Sequence, residues 1–130
     1  MTKGKLTVCS LQEWGKYKSD INYLIVRSWK GKEIPDLPQF TELAPSVELF
    51  SWTLKQKSKG VPDDVWFKTY SKRYEQESYS AIFRRALDFI LDLLDKGYSI
   101  TLCCYCTTEF CHRFILADII EKLDYEVVKK

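Results

Sequence analysis

The stretch Ile100–Arg113 holds four of the five cysteines and the only histidine of the chain. Cys104, Cys106, Cys111, His112 and Arg113 are the residue types that bind anions, carry out thiol chemistry or hold a soft metal. An apolar, β-rich run from Ile100 to Tyr105 precedes a polar break, and Phe114–Leu123 then has the spacing of a buried helix. Strand, short loop, helix is where α/β proteins place ligands, outside the carboxyl end of a strand.

Three chemistries fit this corner. In the first, an anion sits at the helix start, where backbone amides lack partners and the dipole favours negative charge. Arg113 in the first turn has the wrong sign for that dipole, which an intervening anion would reconcile, and Arg27 would complete a clamp for phosphate or carboxylate. In the second, a cysteine near the helix N-terminus, beside His112 and Arg113, is activated as a thiolate. Cys104, Cys111 and His112 are the catalytic candidates. Cys106 precedes Arg113 by seven positions and Cys111 precedes it by two, which is not the register of phosphatase or sulfurtransferase loops. In the third, Cys104, Cys106, Cys111 and His112 hold zinc. Adjacent residues diverge on a helix, and Cys-x-Cys is not the usual knuckle spacing, so no metal and no other cofactor is expected. Cys9 and Cys103 read as packing, since small buried thiols are common.

These residues need a frame. Lys5–Cys9 and Ile21–Val26 read as strands, the second closed by Arg27 and a loop at Ser28–Lys32. A short helix is expected at Gln39–Leu43. Ser46 is a candidate N-cap, and Val47, Phe50 and Leu54 then fall on one helical face. Pro62, Asp63 and Asp64 open a helix whose aromatic face is Val65, Trp66, Tyr70 and Tyr74. The longest helix starts at Ser78 or Ser80, carries a wide apolar stripe from Ile82 to Leu94, and ends at Gly97. A last strand is expected at Tyr125–Val128. Strands alternating with helices predict an α/β fold: one small three-layer domain over residues 1–130, with a mainly parallel sheet flanked by helices. Right-handed crossovers then put the ends of the Ile21 and Ile100 strands on one edge, bringing Arg27 towards the cysteines.

The totals narrow the classes. The chain has 130 residues, 45% hydrophobic and 15% aromatic, enough to fold without metal or disulfide help. No apolar run reaches the roughly 20 residues of a membrane span. An odd cysteine count and no apolar leader after Met1 point to a cytoplasmic protein with reduced thiols. A net charge of +2 does not by itself imply nucleic acid. A nucleic-acid-binding module stays open on Lys3, Lys5, Lys55, Lys57, Lys59, Lys72, Arg73, Arg84 and Arg85, diluted by Asp88, Asp92 and Asp95.

Three blocks together resemble the domain-of-unknown-function 488 family, with its YeaO-like members. They are the strand ending in Arg27 with Trp29 after it; Leu43–Leu49 with Trp52, followed by Trp66, Phe67 and Tyr70–Tyr74; and Leu102–Cys106 followed by Cys111, His112 and Arg113. The resemblance implies an α/β fold and a site at these blocks, with no particular reaction. The expected ligand corner is therefore Arg27, Cys106, Cys111, His112 and Arg113, its occupant a small anion or nucleotide-like molecule, with a thiol-dependent enzyme as the alternative.

Overall fold

The computed structural model describes residues 2–27 and 34–130. Trp29 and the 28–32 loop lie outside the described residues. Four strands form one parallel sheet: β1 (Leu6–Ser10), β2 (Ile21–Leu24), β3 (Ile100–Cys104) and β4 (Val127–Lys129), in the order β2-β3-β1-β4. The central pair, β1 and β3, is fully buried along its length, as the near-continuous apolar runs required.

Side chains alternate across the sheet, and the two faces are covered differently. On one face, the Thr101 hydroxyl donates to the Tyr17 carbonyl at 2.6 Å and Trp14 Nε1 donates to Asn22 at 3.2 Å. Both partners belong to the 3-10 helix Leu11–Lys16 and the residues just after it. The other face carries the helices: α1 (Val47–Ser58), α2 (Asp63–Glu77), α3 (Ala81–Asp95) and α4 (His112–Glu121). There Tyr23 of β2 meets Phe89 of α3, and Cys104 of β3 meets Cys111 at the start of α4. The second helical piece expected near Gln39–Leu43 is a short 3-10 turn, Thr41–Leu43.

Local signals set the helix ends. Ser46 and Ser80 cap α1 and α3, accepting from the amides of Leu49 and Phe83. Gly97 closes α3 with φ of 95°, a left-handed conformation that costs glycine little. Gly4 has a steric role: a Cβ there would sit 1.8 Å from the Tyr98 carbonyl oxygen, where the chain enters β1 beside the end of α3. The Gly4 amide donates to the Leu94 carbonyl at 2.7 Å in the same place.

Helix α1 turns the apolar face formed by Val47, Phe50 and Leu54 away from the core. Its core-facing residues are Leu49 and Thr53, whereas Val47, Phe50 and Leu54 are exposed. The cause is the anchoring of its first turn: the amide and hydroxyl of Ser46 both donate to the Glu77 carboxylate of α2. On α2, Trp66, Tyr70 and Tyr74 are buried as expected, but Val65 is exposed. No helix among the described residues is long and apolar enough to cross a membrane.

Candidate functional site

The carboxyl ends of β2 and β3 share an edge of the sheet, and the chain after each contributes to one cavity of about 360 Å³. That volume suits a small-molecule site. Arg27 and His112 both line it, so the strand-end argument places them correctly relative to each other. Arg27 is exposed and its Nε donates to the Pro45 carbonyl at 3.0 Å, which steadies the guanidinium at the rim. The exposed stripe Val47, Phe50 and Leu54 forms another part of the wall, and Lys57 continues it one turn later. Lys57 Nζ lies 5.2 Å from the centroid of the Trp66 ring, a cation–π contact at the cavity. Two cations and no carboxylate are among the described lining residues.

Cys104, Cys106 and Cys111 also line the cavity, with their sulfur atoms all within 4.8 Å of one another. Cys104 ends β3 and is buried; Cys106 lies two residues past the strand and is half-buried. Cys111 is the N-cap of α4 and has extended backbone, φ −141° and ψ 144°. That conformation removes the divergence expected of adjacent helical residues. Cys111 Sγ and His112 Nδ1 are 3.7 Å apart. The other ring nitrogen, Nε2, is 2.8 Å from the Ile25 carbonyl oxygen. A carbonyl only accepts, so Nε2 carries the ring proton and Nδ1 presents a lone pair beside Cys111.

Arg113 does not line the cavity. It is buried behind the sulfur cluster, where Nη1 donates to Cys104 Sγ at 3.2 Å and to the Cys106 carbonyl at 2.8 Å. Nη2 reaches the Lys130 carbonyl at 3.4 Å, and Nε has no hydrogen-bond partner among the described residues. No carboxylate pairs with this buried cation among the described ion pairs. The Phe114 ring, 4.4 Å from Cζ to centroid, covers the guanidinium as well. Interaction with the thiols of Cys104 and Cys111 holds Cys106 well below the ordinary thiol range. The same contact with Cys106 pushes Cys104 up to about 11, and burial raises Cys111. Three sulfurs this close cannot all ionise, and of the three Cys106, the most accessible, is the most readily deprotonated.

The fourth cysteine of the stretch behaves differently. Cys103 points to the opposite face and contacts Cys9 at 3.6 Å in a buried pair, which is packing as expected.

A protein-family model described as the active DUF488-N3 subclade matches residues 6–124. The chain belongs to the DUF488 family. No curated protein and no solved structure matches it. The family resemblance drawn from the strand ending in Arg27, the Trp66–Tyr74 segment and the Cys-His-Arg triplet is thereby upheld, and residues from all three segments meet at the cavity.

Lys57, Trp66, Tyr70 and Phe110 are members of the wall that residue-by-residue reading did not single out as a site. Their sequence signal was ambiguous. An aromatic stripe at helical spacing reads as core, and Tyr70 is indeed buried, stacked parallel to Tyr74 with centroids 6.4 Å apart. Lys57 was one of nine basic residues with no mark to separate it from the rest.

Proposed function

We propose that this DUF488 domain binds a small anionic ligand carrying a flat ring, of the nucleotide kind, in the cavity between β2, β3, α1 and the start of α4. The observation that carries the reading is the composition of the wall: Arg27 and Lys57 supply positive charge, Trp66, Tyr70 and Phe110 supply aromatic surface, and no carboxylate is among the described lining residues. Arg27 presents a planar fork suited to phosphate or carboxylate oxygens. Cys111 and His112 begin α4 at the cavity, so the positive end of that helix dipole adds to the field. The exposed Val47–Phe50–Leu54 stripe gains a role as the apolar side of the binding surface.

The test is thermal or urea unfolding with inorganic phosphate and a panel of nucleoside mono- and diphosphates. A ligand that binds the native state raises stability in proportion to the logarithm of its concentration over Kd. Stabilisation by a nucleotide that is lost in Arg27→Ala and Lys57→Ala supports the reading. A panel in which no anion shifts the wild-type midpoint rejects it.

A further inference from the structure

We propose that Cys104, Cys106 and Cys111 bind one zinc ion through their three sulfurs at the floor of the cavity, with the fourth coordination position open towards the cavity. Three features other than sequence spacing lead there. The three Sγ atoms converge within 4.8 Å, from a strand end, a loop and a helix N-cap. Such a set, drawn from different elements, is invisible to a search for Cys-x-x-Cys pairs. All three cysteines line the cavity, so an ion held by them would face a ligand space. Three protein ligands with an open position is the pattern of reactive rather than purely structural zinc.

The third feature is charge. The described partners of the buried Arg113 guanidinium are the Cys104 sulfur, the Cys106 carbonyl, the Lys130 main-chain oxygen and the Phe114 ring, with no side-chain carboxylate among them. Three thiolates and one Zn²⁺ sum to a single negative charge, which one buried arginine neutralises. An N–H donated to a ligating sulfur is also the kind of outer contact that orients metal ligands. Zinc–sulfur bonds of about 2.3 Å put sulfurs roughly 3.8 Å apart across a tetrahedral ion. The Cys104–Cys111 separation is 2.7 Å, so loading requires those two side chains to part by about 1 Å. Thiolates select zinc or monovalent copper among common biological metals, while oxygen-seeking magnesium and calcium are excluded. The His112 ring, fixed through Nε2 by Ile25, stands beside Cys111 with Nδ1 unprotonated. The proposal does not depend on the anion reading: an ion at the three sulfurs could be present whether or not the cavity takes a nucleotide.

The experiment is a cobalt titration of reduced, metal-free protein, followed by zinc. Tetrahedral Co²⁺ bound by thiolates shows a sulfur-to-metal charge-transfer band and strong visible d–d bands. The expected result is saturation at one equivalent, bleaching by one equivalent of Zn²⁺, and loss of the charge-transfer band in Cys106→Ser. Cys103→Ser, which removes a thiol from the other face of the sheet, should retain it. Absence of the band in wild type, or a band unchanged in Cys106→Ser, overturns the proposal. A second readout uses only the wild type: peptide-resolved alkylation of Cys106 should slow at least tenfold when one equivalent of zinc is added. An unchanged alkylation rate overturns the proposal as well, even if the serine variants fail to fold. Nucleotide stabilisation measured on the zinc-loaded and metal-free forms reports separately on the anion reading.

Discussion

His112 Nε2 donates a hydrogen bond to the Ile25 carbonyl oxygen across 2.8 Å, tying the first residue of α4 to the chain just past β2. The bond joins two of the three family blocks, and Cys111 Sγ lies 3.7 Å from the other ring nitrogen. His112 also packs 5.7 Å, centroid to centroid, from Tyr74, whose hydroxyl donates to the Leu43 carbonyl at 2.7 Å. One buried ring thus relates β2, α2 and α4 at the edge where the cavity opens.

His112→Phe keeps a ring of similar shape but leaves the Ile25 carbonyl without its donor. The expected cost is about 1–3 kcal/mol, the usual penalty for stranding a buried polar group. Urea unfolding of both proteins measures it. Long-range nitrogen NMR of the wild type should place the ring proton on Nε2; a proton on Nδ1 would mean the Ile25 contact is not made in solution.

Arg113→Ala should be destabilising without any ligand present, by about 1–3 kcal/mol, because it takes the donor from the buried Cys104 sulfur and the Cys106 carbonyl. A role confined to gripping an anion would leave the ligand-free protein nearly as stable as wild type. Arg113→Lys should recover little, since a single ammonium cannot reach Cys104 Sγ, the Cys106 carbonyl and the Lys130 carbonyl together. Denaturant midpoints of the three proteins decide between these outcomes.

Arg27→Ala should behave in the opposite way. The side chain is exposed and, among the described residues, donates to the Pro45 carbonyl, so ligand-free stability should change by no more than about 0.5 kcal/mol. Binding, read as ligand-induced stabilisation, should fall at least tenfold. A large loss of stability in the absence of ligand would reassign Arg27 to the scaffold.

Phe50→Glu tests the exposed apolar face of α1. Because Phe50 is exposed and lines the cavity, the substitution should leave the urea midpoint close to that of wild type while weakening anion-dependent stabilisation. Leu49→Ala on the same helix should instead cost about 2–5 kcal/mol, since Leu49 is fully buried. Equal losses at both positions would mean that the helix faces are not as described.

Ser46→Ala removes a cap and a partner of Glu77 at once. Loss of about 1 kcal/mol is expected from the cap alone. A double-mutant cycle with Glu77→Gln should show coupling between the two positions, because the Ser46 amide and hydroxyl both reach that carboxylate.

The sequence by itself determined the elements and their order. Short β-rich apolar runs mark β1, β2 and β3, and Ser46 and Gly97 mark helix ends, because these signals are read within a few residues; between Ser78 and Ser80 the structure chose Ser80. The handedness of crossovers was enough to bring Arg27 and His112 to one edge. Only the tertiary structure decided where faces and charges point. The Val47–Phe50–Leu54 period shows that a face is apolar but not what it meets; a contact between Ser46 and Glu77, 31 residues apart, turns it to the cavity. Arg113 occupies the first turn of α4 whether it reaches outwards or inwards, and the choice was made by sulfur and carbonyl partners from β3, the loop and Lys130. Cys111 and His112 converge because the cap residue is extended, a change of one backbone conformation at a helix boundary. Boundaries of that kind are set by competition between local and long-range hydrogen bonds, and only the folded chain contains both.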